Sequence, residues 1–364
     1  MGSGGCSCRG TVGGCTTLSQ RFPDGNEVEW FLFGRQAERA SERGIGEGAN
    51  RYRTETQCRS LKQEVLRERN LEDRERRIEP SPATMTCAEF LQWALPALGL
   101  SWPGFRRVHR QVCRRIGARL QALRLPDCAA YQEYLPAHPD EWMILDSFCR
   151  IPISRFVREH AVFERLGSDV LPQLAAAAIA RGAVELRCWS AGCASGEEPY
   201  SLAILWSLLL ASHYSGLALR VIATDIDEQL LERARVGAYR RSSLREVPDQ
   251  WMAAAFARRG ELYVVKPAFR AVVEFRQQDL RETLPRGPFD LILCRYLALT
   301  YFDAALQRRT LKRLLTVLRP GGAFVIGLKE HLPGGVEGIE PWIPQLGVYR
   351  RMGGPGGSDS EPAP

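Results

Sequence analysis

The chain has 364 residues, 45% of them hydrophobic, which is enough for two domains or for one large domain with extensions. Forty-nine basic against forty-two acidic residues leave a formal net charge of +7, a mild excess whose distribution matters more than its sum. No run approaches the length of about 18 apolar residues needed to cross a bilayer, which excludes a membrane-spanning helix.

The N-terminus, MGSGGCSCRGTVGGC, lacks the continuous apolar core of a secretory signal. The eleven cysteines are therefore expected as free thiols in a reducing, cytoplasmic setting. Cys113, Cys149, Cys188 and Cys294 fall in apolar-patterned segments and are expected as small buried thiols. Cys6, Cys8 and Cys15 have no partnering Cys or His pair, so no metal site is expected. Gly2 is a poor myristoylation site, because Cys6 stands where that motif needs Ser or Thr.

Residues 1–84 pass from this Gly- and Cys-rich start into a charged stretch with few large apolar residues, expected as a disordered or partly helical extension. Its helical part would be Ser60 to Arg77, and Ser81, Pro82 and Ala83 read as a linker. Residues 85–167 show apolar positions every three or four residues with breaks at Pro103, Pro126 and Pro139, which predicts a small all-α domain. One helix there carries an apolar stripe of Val108, Val112, Ile116, Leu120 and Leu123, with Arg107, Arg110, Arg114, Arg115 and Arg119 on its other faces.

From residue 168 to 352, after a helix through Val170 to Ala180, short apolar runs alternate with helical segments. The runs Leu186–Ser190, Leu217–Thr224, Val272–Phe275, Leu291–Cys294 and Ala323–Gly327 predict buried strands. Their alternation with helices predicts an α/β domain with a mainly parallel, Rossmann-like sheet, whose ligands bind at the carboxyl ends of the strands. Residues 353–364 read as a flexible tail.

The first strand runs into WSAGCASGEEPYS, Trp189 to Ser201, a strand, a glycine turn and a helix with Pro199 in its first turn. Gly192 and Gly196 would let a ligand approach the backbone, and their spacing does not match the GxGxxG dinucleotide fingerprint. A nicotinamide oxidoreductase is excluded on that ground. The second strand ends in ATDID, where Asp225 can accept hydrogen bonds from both hydroxyls of a ribose. Asp225 or Asp227 can equally cap the helix that begins at Glu228.

WSAGCASGEEPYSLAILW, ATDIDEQLLERARVGAY and FDLILCR followed by YFD occur in this order, and together they resemble the CheR-type methyltransferase family over residues 88 to 352. The resemblance implies a helical N-terminal domain followed by an S-adenosylmethionine-binding domain of class I methyltransferase fold. It further implies methyl transfer from S-adenosylmethionine to glutamate carboxylates of proteins.

By the same resemblance Ser154 and Arg158, in PISRFVRE, match a hydroxyl and arginine lying against cofactor and transfer site. Glu198 would contact the cofactor near its amino group and Asp225 its ribose, while Asp279 and Leu280 stand beside the adenine. Arg295 and Tyr296 match an Arg-Asn pair, and Tyr301 falls in the YFD segment. Arg158, Tyr301 and Arg295 would order the transfer site. The partner implied is a protein substrate with acidic side chains, docked on the basic helix Arg106 to Arg124. An acidic protein, a nucleic acid or solvent alone fits that basic face on residue type.

The chain also departs from the family. Pro152 and Tyr296 replace asparagines, and CRYLALTYFD is one residue longer than the family's CRNxxIYFD. These differences keep open a cofactor-binding regulatory module without catalysis, or a different methyl acceptor. A base-amine acceptor would call for an Asp/Asn-Pro-Pro-Tyr segment where this chain has CRYL. The small β-element that follows the second strand in receptor-tethering relatives is expected here only in reduced form, from Glu261 to Val265 and Ala271 to Phe275. Of the five histidines, only His160 lies near these residues.

Overall fold

A computed structural model of the chain describes residues 85–353 and, before them, the backbone of three strands. The chain divides into two compact units, Met1–Ser81 and Pro82–Pro364. In the first, β1 (Ser7–Cys8), β2 (Thr16–Arg21) and β3 (Glu27–Leu32) form an antiparallel sheet in that order. The rest of the 1–84 extension, its predicted helix Ser60–Arg77, and the tail beyond Gly353 lie outside the described residues. No helix among the described residues is long and apolar enough to cross a membrane.

The second unit opens with helices. α1 (Cys87–Ala97) begins at a capping box in which the Glu89 amide donates to Thr86 Oγ1 at 3.3 Å and the Thr86 amide donates to Glu89 Oε2 at 2.8 Å. After the one-turn α2 (Trp102–Phe105) comes α3 (His109–Leu123), which buries Val112 and Ile116 of the predicted stripe. Phe90, Leu91, Leu95 and Phe105 pack with these residues into a core shared with Ile292, Cys294 and Phe324 of the α/β region. Hence the helices are not a detached domain; they seal one face of the sheet.

The basic face of α3 is narrower than its sequence implies. Arg119 turns inward to a paired contact with the buried Glu141, at 2.8 and 2.7 Å, and Arg115 donates to the Phe148 and Arg150 carbonyls at 2.7 and 2.8 Å. Arg106, Arg107, Arg110, Arg114 and Arg124 remain exposed. The expectation of free thiols is corrected at one place: Cys87 of α1 and Cys113 of α3 form a disulfide, Cα atoms 5.9 Å apart, and Cys113 is half-buried. Tertiary packing sets those two helices side by side, which a separation of 26 residues does not reveal. Cys149, Cys188 and Cys294 are free and buried.

α4 (Cys128–Tyr134) and α5 (Pro139–Phe148) complete the helical layer, and an irregular loop, 149–159, leads to α6 (His160–Arg165) and α7 (Leu171–Ala180). Then follow β4 (Glu185–Ala191), α8 (Glu197–Leu205), β5 (Ala218–Asp225) and α9 (Glu228–Val236). β6 (Ala238–Arg240), β7 (Phe256–Arg259) and β8 (Leu262–Val265) form a separate antiparallel sheet in the order β6-β8-β7. The expectation of a reduced β-element is thus corrected: three strands are present between β5 and the next strand of the main sheet. They escaped the apolar pattern because AYR and FARR are short and arginine-bearing, and FARR is exposed at three of its four residues.

The main sheet is completed by β9 (Val273–Gln277), β10 (Phe289–Leu293), β11 (Leu318–Val325), β12 (Ile339–Ile343) and β13 (Val348–Arg351). Its order is β12-β13-β11-β10-β4-β5-β9, parallel from β11 to β9, with β13 antiparallel to β11. The five strands predicted from the sequence are the parallel ones. The strand order reverses at β4, with β5 and β9 added on one side of it and β10 and β11 on the other, and this switch point opens a crevice at the carboxyl ends of the parallel strands.

Candidate active site

One cavity fills that crevice, walled by the loop 149–159, the β4–α8 turn, the ends of β5 and β9, and the segment after β10. Of the residues singled out in the sequence, Ser154, Arg158, Gly192, Glu198, Asp225, Asp279, Leu280, Arg295, Tyr296 and Tyr301 all line it. Gly196 does not. Gly196 has φ +88° at the start of α8, and a Cβ there would lie 2.8 Å from Ala234 Cβ. It serves the turn and the packing of α8 against α9. We expect Gly196→Ala to cost about 3 kcal/mol in urea denaturation, from left-handed strain plus overpacking.

The two aspartates of ATDID divide their tasks. Asp227 caps α9, its Oδ1 accepting from the Gln229 and Leu230 amides at 3.0 and 3.3 Å. Asp225 faces the cavity, with Oδ2 accepting from the Ala194 amide at 2.8 Å and Oδ1 from the Asp227 amide at 3.0 Å. Each oxygen keeps a lone pair for a further donor. Burial pushes the Asp225 carboxyl above the ordinary aspartate range, against these two amides.

At the floor, Arg295 is a structural cation. Its guanidinium donates to Glu198 Oε2 at 3.0 Å, Glu159 Oε2 at 2.7 Å and the Arg158 carbonyl at 2.7 Å, with its side chain only 3% exposed. Glu198 also accepts from Ser190 Oγ at 2.7 Å. Glu159 is therefore spent on Arg295 and does not pair with its neighbour Arg158. Arg158 donates to the Ile153 carbonyl at 2.8 Å, and its Cζ lies 4.0 Å from the centroid of the Tyr296 ring. No carboxylate among the described residues stands within ion-pair distance of it.

Tyr301 closes the one-turn helix α10 (Ala298–Tyr301), formed by the ALTY part of CRYLALTYFD. Its ring packs 5.0 Å from that of Phe105, and burial raises its phenol while the nearby Arg158 opposes the rise. Asp279 is engaged by Arg281, which bridges it to Asp146 of α5: Nη1 to Asp146 Oδ1 at 2.6 Å, Nη2 to Asp279 Oδ2 at 2.8 Å. His160 is exposed and lies off the cavity.

Two residues that support the site were not legible in the sequence. Glu159 was visible only as a neighbour of Arg158. Glu330, 7% exposed, accepts from the Tyr296 and Gly327 amides at 2.8 Å each and from Thr300 Oγ1 at 2.5 Å, so it pins the segment between β10 and α10. Burial raises its carboxyl above the usual range. Its only sequence signal is a glutamate just past the last parallel strand, a place where acids are ordinary.

A seven-stranded sheet of this order, with a glycine turn after its central strand and an acid at the end of the next, defines the architecture of a nucleoside-cofactor-dependent methyltransferase. The CheR methyltransferase S-adenosylmethionine-binding domain matches residues 153–343. Chemotaxis protein methyltransferases of Salmonella typhimurium and Escherichia coli are 35% and 31% identical, over 60% and 64% of this chain and 75% and 86% of theirs. An uncharacterized 104.1 kDa protein of Rhodobacter capsulatus is 32% identical over 70% of this chain, which spans 26% of that protein. The chain belongs to the CheR methyltransferase family.

The residues present fit S-adenosylmethionine. Gln278 Oε1 is buried in the cavity wall without a hydrogen-bond partner among the described residues, an acceptor suited to an exocyclic amine. Gly192, φ +78°, carries no Cβ at a place where one would lie 2.5 Å from Leu297 Cδ2, and so keeps the turn open.

Proposed function

We propose that the chain methylates protein carboxylates, chiefly glutamate side chains. The observation that carries this reading is Arg158: a guanidinium in the cavity with Tyr301, outside ion-pair distance of every carboxylate among the described residues, while Glu159 and Glu198 are committed to Arg295. A planar guanidinium with free N–H groups grips an incoming carboxylate through paired hydrogen bonds. Bound S-adenosylmethionine supplies an electrophilic methyl group on a sulfonium centre. A glutamate carboxylate is already ionised near neutral pH, so Arg158 and Tyr301 need to align it and no general base is required.

In this reading Asp225 accepts from the ribose hydroxyls, and Glu198, itself held by Arg295, faces the cofactor's amino group. Gly192 leaves room at the turn, while Asp279, Leu280 and Gln278 surround the adenine. Ser154 and Tyr296 line the methionine side. The exposed arginines Arg106, Arg107, Arg110, Arg114 and Arg124 offer an acidic protein a docking face, consistent with work in the cytoplasm.

Labelled S-adenosylmethionine, incubated with the protein and a cell extract, should yield protein-bound label released by mild base. Base-stable label would overturn the carboxylate reading. A second expectation concerns pH. As pH falls through the raised Asp225 pKa the carboxylate gains a proton and loses an acceptor. Calorimetry should therefore show S-adenosylhomocysteine affinity declining at a higher pH than an ordinary aspartate would dictate. Asp225→Asn should weaken binding about tenfold at neutral pH and flatten that decline.

A further inference from the structure

We infer that Tyr296 is a positioning residue that fixes the plane of the Arg158 guanidinium. The inference rests on the proposed role of Arg158 as the acceptor's anchor. Arg158 sits in an irregular loop, flanked by Val157 at φ +52° and Glu159 at φ +65°, two non-glycine residues in the left-handed region. Such backbone persists only where its surroundings over-determine it.

Here the surroundings are specific. The Val157 amide donates to Ser201 Oγ at 2.8 Å, the Glu159 amide to Glu246 Oε2 at 3.1 Å, and the Glu159 carboxylate takes Arg295 on one oxygen and the Tyr296 hydroxyl on the other. Tyr296 itself has φ +56° and is held at its amide by Glu330. One face of its ring lies under the Arg158 guanidinium, 4.0 Å from Cζ, and the ring packs on Gly327, where a Cβ would fall 2.6 Å from Tyr296 Cζ.

The ring is thus wedged between a bare backbone and a cation, and its hydroxyl ties back to the residue next to that cation. A guanidinium resting on an aromatic face keeps one orientation, with the remaining N–H groups free at its edge for the acceptor. An asparagine at this position would supply an amide to the cavity and no such platform.

The test uses the full-length protein, 15N-labelled at arginine, with the Arg158 Nε–H resonance assigned by its loss in Arg158→Lys. In wild type that proton should be displaced upfield by the Tyr296 ring current, and in Tyr296→Leu it should move to the position of an unstacked arginine. With labelled S-adenosylmethionine and cell extract, Tyr296→Leu should lower the transfer rate by about tenfold, a larger loss than that of S-adenosylhomocysteine affinity, which falls only as far as the ring borders the cofactor. Tyr296→Phe, which keeps the ring and forfeits only the bond to Glu159, should restore most of the rate. An unshifted Arg158 resonance in wild type, or Tyr296→Leu turning over at the wild-type rate, would overturn the inference. Equal losses of rate and cofactor affinity would do so as well, since they mark a merely structural residue. Should wild type transfer no label at all, the methyltransferase reading fails, and the resonance alone decides whether the platform exists.

Discussion

Arg158→Ala should lower methyl transfer by at least about 100-fold, the size of effect seen when a preorganised charge is removed from a reacting centre. The fold should survive. In the structure this side chain makes one hydrogen bond, to the Ile153 carbonyl, and one stacking contact, so the stability loss should stay near about 1 kcal/mol. Arg158→Lys keeps the charge but offers a compact ammonium in place of a planar fork, and it should recover little of the rate. Initial rates of base-labile labelling, compared with urea midpoints of the same variants, check both halves. A variant without the guanidinium that transfers at the wild-type rate would remove Arg158 from the mechanism.

Arg295 should behave in the opposite way, as a residue of the framework. Its side chain is 3% exposed and holds Glu159 and Glu198, each 15% exposed, so Arg295→Met leaves two largely buried carboxylates without a cation. Breaking such a pair costs about 3–5 kcal/mol, a large part of the about 5–15 kcal/mol that stabilises an ordinary domain. Urea denaturation should register that loss. Adding Glu198→Gln to Arg295→Met removes one orphaned charge and should return part of the stability. If Arg295→Met unfolds at the wild-type midpoint, the buried network does not carry the loop that holds Arg158.

The contrast between these two arginines shows what sequence reasoning reaches. Both were expected to order the transfer site, since each stands in a segment resembling the family's. Only the packing tells that one is committed to two carboxylates and the other is left with open donors. Glycines divide in the same manner: Gly192 borders the cavity, whereas Gly196, four residues on, answers to Ala234 and Phe275 on other elements. Asp225 and Asp227 could each cap or bind by residue type, and the turn of the chain after β5 assigns capping to Asp227.

By itself the sequence determined the parallel strands, the glycine turn, the acid after β5 and the family. Those features are local: apolar runs, turn residues and short motifs record constraints within a few residues of one another. The tertiary structure alone decided that Cys87 meets Cys113, that three short strands gather between β5 and β9, and that Arg115 and Arg119 turn inward. It also decided that Glu159 and Glu330, which no local pattern marks, hold the floor and flank of the cavity. Each of these depends on residues far apart in the chain, where burial and hydrogen-bond satisfaction choose among partners that composition leaves equivalent.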